Sequence, residues 1–292
     1  MSDDSHEIDG DWVRIDAMAL GPDRSAAEAL EDVRAAVATG ARRFNVMNAL
    51  LRDREADWYT TVEPWCDALG ELGAPGLEAF VVDTYYQPLT RQASTRCGDL
   101  TKVLERCPSL ELLYVAGSCI ITKAQHTRLR DLTLIGDPTR IETIGAVLRG
   151  DLPRLSRLAI GFSYEQAETP GATDAFLAAL ADASLPNLTA LHLGETSDPV
   201  RLFEGVLRST LFPRLKSFSL SARSLFDDEE AGLALLREHR EALAKLEHVH
   251  LPTEEIMSMT DADLAALVPG LRGLDDEGAN AFGPNVYRST DD

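Results

Sequence analysis

The sequence predicts an α/β solenoid of about seven to nine irregular units, with parallel strands on the concave side of a horseshoe-like arc and helices on the convex side. Three observations predict it. A short apolar phrase with its residues at positions i, i+3 and i+5 recurs along the chain. A proline stands two residues before the first apolar residue in most copies. The stretches between copies carry apolar residues three and four apart, which is the period of a helix with one buried face.

Taken in chain order, residues 1–39 read as a tail and a capping helix. DRSAAEALEDVRAAVATG is amphipathic from Ser25 to about Ala38 and stops at Gly40. A degraded first copy of the phrase lies in ARRFNV, at Phe44 and Val46. Residues 50–72, with Trp58, Tyr59 and Trp65, read as an insertion followed by a helix from about Glu63. Full copies follow at Leu77, Phe80 and Val82, at Leu110, Leu113 and Val115, and at Leu129, Leu132 and Leu134. Further copies are Leu155, Leu158 and Ile160; Leu188, Leu191 and Leu193; Leu215, Phe218 and Leu220; and Leu246, Val249 and Leu251. The final copy, Leu271 and Leu274, loses its third apolar site to Asp276. Successive first leucines are 33, 19, 26, 33, 27, 31 and 25 residues apart. Prolines 75, 108, 153, 186, 213 and 269 precede six copies.

Each copy has a physical reading. Proline opens a strand cleanly and cannot stand in its middle. The alternation after it sends one residue to the core and the next to the other face. Helices are expected at 99–107, 140–150, 173–183 (with Thr173 as cap), 199–209, 227–245 and 260–268. The stretch SCIITKAQH (118–126) is not amphipathic, so the short spacing there is expected to lack a helix. A doubly wound α/β domain would also alternate strand and helix, but gives no reason for the same phrase to recur.

On these residues the chain resembles bacterial leucine-rich-repeat proteins, loosely of the ribonuclease-inhibitor type. The resemblance covers residues 75–275 and extends to 40–275 if the degraded copy counts. It departs at the position eight after the first leucine, where an asparagine is usual and this chain has Ser118, Asp137, Ser163, Thr196, Arg223 and Glu254. The organisation it implies is a cap over 1–39, a repeat domain over 40–275 and a terminal cap or tail over 276–292. It also implies a role in protein interaction.

Forty-eight acidic against 28 basic residues give a formal net charge of −20. That balance opposes nucleic-acid and anionic-membrane binding and favours solubility or a basic partner. Arginines 42, 43, 128, 130, 154 and 157 are scattered rather than gathered into a patch. The acidic start MSDDSHEIDGDW lacks the pattern of a secretory signal, and no apolar run approaches the roughly 20 residues that span a bilayer. Cys66, Cys97, Cys107 and Cys119 lack CxxC spacing and sit within or near apolar segments, so buried free thiols in a cytoplasmic protein are expected; a monomer is expected rather than an oligomer.

The sequence lacks GxSxG, GxxxxGK[ST], HExxH and a GxGxxG after a strand. His248 and His250 share a strand face, with His192 in the equivalent row two strands away. Strands about 4.8 Å apart leave too wide a gap for His192 and His250 to share a metal. No metal, cofactor or catalytic residue is therefore assigned. Neither Cys119 beside His126 nor Asp275 beside Asp276 has the spacing of a reactive pair. The expected surface is the outward row, with Tyr114 as anchor and Val81, Asp83, Asp131, Thr133, Arg157, His192, His248 and His250 around it. The function expected is a non-enzymatic scaffold binding a protein on its concave face. The alternatives are an acidic inhibitor or immunity-like protein for a basic enzyme, and a hydrolase-type or metal-dependent enzyme using His192, His248 or His250.

Overall fold

The apolar phrases from Leu77 to Leu251 fold as short strands whose second and third apolar residues face one core. The computed structural model describes residues 6–9, 12–16, 25–48, 61–84, 95–135, 140–161, 171–194, 198–221, 229–251, 261–268 and 271–273. The chain opens with β1 (His6–Asp9), β2 (Trp12–Asp16), α1 (Ala26–Ala38), β3 (Arg43–Asn48), α2 (Glu63–Leu72) and β4 (Ala79–Thr84). It continues through β5 (Arg96–Asp99), α3 (Thr101–Arg106), β6 (Leu112–Ala116), β7 (Ser118–Ile120), β8 (Asp131–Ile135) and α4 (Ile141–Leu148). Next come β9 (Arg157–Gly161), α5 (Ala172–Ala181), β10 (Ala190–Gly194), α6 (Pro199–Arg208) and β11 (Ser217–Ser221). The last elements are α7 (Glu229–Glu238), α8 (Arg240–Leu243), β12 (His248–Leu251), α9 (Asp261–Leu267) and β13 (Leu271–Gly273).

Among the described residues the strands form an eleven-stranded sheet in the order β1-β2-β3-β4-β6-β8-β9-β10-β11-β12-β13, with β5 and β7 paired separately. The β1–β2 pair is antiparallel, and every later pairing is parallel. Phe44, Phe80, Leu113, Leu132, Leu158, Leu191, Phe218 and Val249 stand directly across from one another in one buried row. Removing such a side chain from water contributes about 1.5–3 kcal/mol each. Phe176 of α5, Phe203 of α6 and Trp65 of α2 close the core from the helical side. Trp65 donates its indole N–H to Asp32 of α1 at 3.2 Å, so neither buried polar group is left unmet.

Two expectations from the sequence are overturned. The sheet is single, extended and open, neither closed nor strongly curled, and flanked by helices: a globular α/β fold rather than a leucine-rich-repeat horseshoe or a curved solenoid. The reason is that the recurring phrase sets where a strand begins, which residue it buries and which neighbour it pairs with. Curvature requires something else, a connecting layer uniformly wider than the strand layer at every step. Here the connections run from 13 helical residues in α1 to six in α3 and eight in α4. No helix stands between β7 and β8 at all. The final copy is also displaced. Leu271, expected as its first apolar residue, stands across from Val249, the second apolar residue of the copy before.

Local signals fared better. Ser25 caps α1 with a reciprocal capping box to Glu28, and Gly40 leaves the helix at a φ of 75°. Asp198 caps α6 by accepting from the Arg201 N–H. The N-cap of α5 is Gly171 rather than Thr173, which lies inside the helix. The expected helix over 227–245 is broken into α7 and α8 at His239. Asp275, Asp276, Tyr85, Tyr86, Trp58, Tyr59 and the segment 276–292 lie outside the described residues. Among the described residues, no helix is long and apolar enough to cross a membrane.

Candidate functional site

Strand residues that alternate with the core-facing ones belong to the second face of the sheet. Register sorts them into two rows. The first comprises Trp12, Arg43, Ala79, Leu112, Asp131, Arg157, Ala190, Ser217 and His248. The second comprises Arg14, Asn45, Val81, Tyr114, Thr133, Ala159, His192, Ser219 and His250.

The second row is not the open surface its outward register implies. From Asn45 to Ser219 no member is more than 6% exposed, and Tyr114 is 3% exposed. Tyr114, Val81, Thr133 and His192 therefore lie beneath this face instead of standing out as anchors. The first row is more accessible. Trp12, Leu112, Asp131 and Arg157 are half-buried, and His248 is exposed. Asp83 pairs with Met47 across the β3–β4 ladder.

The face divides by chemistry. Toward the N-terminus, buried Val81, Tyr114 and Ala116 form an apolar cluster separate from the main core, with Trp12, Leu112 and Ile135 packed around it. The Arg43 guanidinium lies 5.7 Å from the Trp12 ring centroid, a cation–π distance. Trp12 is the residue that sequence reasoning passed over, since 1–39 was read as tail and helix. The period-two pattern of WVRID, with Val13 and Ile15 in the core, was the available signal.

Toward the C-terminus the face is polar. Arg157 donates to Asp131 Oδ1 at 2.7 Å and to Thr133 Oγ1 at 2.9 Å, joining three of the expected site residues. The pair is largely shielded, with side chains 12% and 15% exposed. His192 stands across from Ser219, which stands across from His250. Burial, then the Arg157 charge, then His250 push the His192 pKa down to about 3, so the ring is neutral near pH 7. Among the described residues, no group of histidine, cysteine and carboxylate side chains is placed to hold a metal.

Ser219 is fully buried, and its hydroxyl finds no hydrogen-bond partner among the described residues. A buried hydroxyl left unmet costs about 1–3 kcal/mol, and alanine removes that cost with almost no change of shape. Ser219→Ala is therefore expected to raise the unfolding free energy by about 1 kcal/mol in urea titrations. A loss of stability would mean that the hydroxyl is satisfied.

The four cysteines and His126 are buried in the fold. All four thiols are buried and unbonded. Burial pushes Cys107 up to about 11 and Cys119 up to about 12, which keeps both protonated. His126 is hydrogen-bonded to the backbone. Its Nε2 meets the Cys107 carbonyl at 3.0 Å, while Nδ1 accepts from the Leu129 N–H at 2.9 Å.

No family model and no curated protein match the chain. A crystal structure of a Bacteroides fragilis protein is similar to it, with 18% identity, a TM-score of 0.65, and coverage of 85% of this chain and 71% of that one. At that identity the likeness shows the fold alone. It supports the extended α/β sheet and replaces the leucine-rich-repeat resemblance drawn from the phrase.

Proposed function

We propose that the protein is a non-catalytic binding module that engages a basic protein partner through the apolar half of the second sheet face. The observation that carries this reading is the satellite cluster in which Trp12, Leu112 and Ile135 stay partly exposed over buried Val81, Tyr114 and Ala116. An aromatic and two large aliphatic groups on a rigid sheet make a preorganised contact, and rigidity lowers the entropy lost on association. The −20 charge supports a basic partner, whose approach it accelerates and whose rim it complements. Inhibition of a basic enzyme is the narrower form of the same reading. Four buried thiols without a disulfide suit a reducing compartment, in keeping with a cytoplasmic protein.

The catalytic reading, built on His192, His248 or His250, draws on the register that sets His192 and His250 either side of Ser219. Burial of His192 and Ser219 favours binding over that reading, because a nucleophile and its base need access to substrate.

Site-specific photocrosslinking tests the proposal. A photoreactive side chain at Leu112 is expected to capture one discrete basic protein in native lysate, and Ile135→Asp in the same chain is expected to abolish the adduct. The same probe at Val200, exposed on α6, is the control. Equal labelling from both positions, or no adduct from Leu112, sinks the proposal.

A further inference from the structure

The gap in the helical layer opens a cleft of about 610 Å³ between residues 120–125 and α4 with its C-terminal turn. None of the residues of the second sheet face lines it. Three cations do: Lys123, Arg140 and Arg149. Among the described residues none of the three forms an ion pair, whereas Arg128, Arg157, Arg208 and Lys216 each do. Two carboxylates, Glu142 and Asp151, share the lining, which leaves the cleft net positive on a chain of net charge −20.

The walls are held in place by satisfied contacts. Thr143 Oγ1 accepts from the Ile121 N–H at 3.2 Å and donates to the Cys119 carbonyl at 3.3 Å. The Thr122 N–H donates to Thr101 Oγ1 at 3.0 Å, and the Asp151 N–H to the Ala124 carbonyl at 2.9 Å. Gly150 permits that last approach, since a Cβ there would stand 2.5 Å from the same carbonyl oxygen. Arg149 folds back over its own helix, with a guanidinium nitrogen 2.9 Å from where a Cβ on Gly145 would be. The three cations therefore line a cavity with fixed walls, beside Ala146 on the helix.

We infer that this cleft binds a small phosphorylated polyol, with Lys123, Arg140 and Arg149 on the phosphate and Glu142 and Asp151 on the hydroxyls. Guanidinium groups match phosphate oxygens in geometry as well as charge. Carboxylates accept from hydroxyls and would repel a ligand that was anionic throughout. The volume lies within the roughly 300–1,000 Å³ of small-molecule sites.

Ribose 5-phosphate is the probe and ribose the phosphate-free control, both followed by isothermal titration calorimetry on the full chain. Ribose 5-phosphate is expected to bind at one site and ribose at least about tenfold more weakly. Arg140→Gln and Arg149→Gln are each expected to weaken binding about tenfold, the effect of losing one charged hydrogen bond. Arg34→Gln, on α1 and outside the cleft, is expected to leave binding unchanged. Unchanged thermal melts establish that the variants fold. Absence of ribose 5-phosphate binding, or equal binding by the Arg140→Gln/Arg149→Gln double variant, overturns the inference. Neither result bears on Leu112 crosslinking, so this site and the sheet-face interaction stand or fall separately.

Discussion

Acidification from pH 6.5 to pH 4 is expected to destabilise the folded chain by roughly 1 kcal/mol per pH unit through His192. The folded pKa is about 3 against an ordinary value of 6.5. Above pH 6.5 the ring is neutral in both states and contributes no pH dependence. Below that value the unfolded chain takes up a proton that the folded chain refuses, so stability falls until the pH reaches the folded pKa. The cause is physical crowding: the ring is buried, the Arg157 guanidinium is near it, and His250 lies two strands away on the same face. Urea unfolding at several pH values should show a shallower slope for His192→Gln than for the wild-type chain. Arg157→Met should move the His192 inflection upward by removing the neighbouring positive charge. Glu111, held down by its hydrogen bond from Arg128, and His126, held down by burial, lose stability in acid too, but equally in both proteins. Identical slopes for wild type and His192→Gln would show that the ring is accessible to protons.

Phe218→Ala should cost about 3–5 kcal/mol, the range for deleting a fully buried aromatic ring. Phe218 lies in the central core row between Leu191 and Val249, and its ring centroid is 6.1 Å from that of Phe203. Phe203 in turn meets His239 edge-on at 5.8 Å. The ring therefore couples β11 to α6 and, through Phe203, to the residue where α7 and α8 meet. Both flanks are fixed by the sheet ladder, which limits how far the site can collapse around a cavity. Urea titration should show a lower midpoint with an unchanged slope. Phe218→Leu, which fills most of the volume, should lose far less. A loss below about 1 kcal/mol for Phe218→Ala would place the ring outside the cooperative core.

The core row was legible because burial and alternation leave a direct mark on residue type. Leu113, Leu132, Leu158, Leu191 and Phe218 stand together because each is the second apolar residue of its phrase. The overall shape was not legible, because curvature depends on how wide each connection is relative to its strand. That quantity belongs to packed elements and to no single phrase. Of the candidate site, the shared sheet face was legible. Asp131, Thr133 and Arg157 were placed on one face, and the structure joins them by hydrogen bonds. The burial of Tyr114 and His192 could not be read, because exposure on a sheet face depends on neighbours two or three strands away. Trp12 lies among polar residues, and only the short alternation of WVRID marks its strand, which the structure pairs with β1 and β3.

The missing helix between β7 and β8 has a consequence for how the chain folds. Helices α1, α2 and α3 pack in one sequence-adjacent run and α4, α5 and α6 in another, while the sheet passes uninterrupted beneath both. Cooperativity across the molecule is thus carried at this seam by the β6–β8 ladder, by the core residues Leu113, Ile121, Leu129 and Leu132, and by the polar ties of Thr101 and Thr143. Subglobal opening should divide the protein there into two units that exchange their amide protons at different rates. A ligand seated in the cleft would span that boundary and tie the two units together.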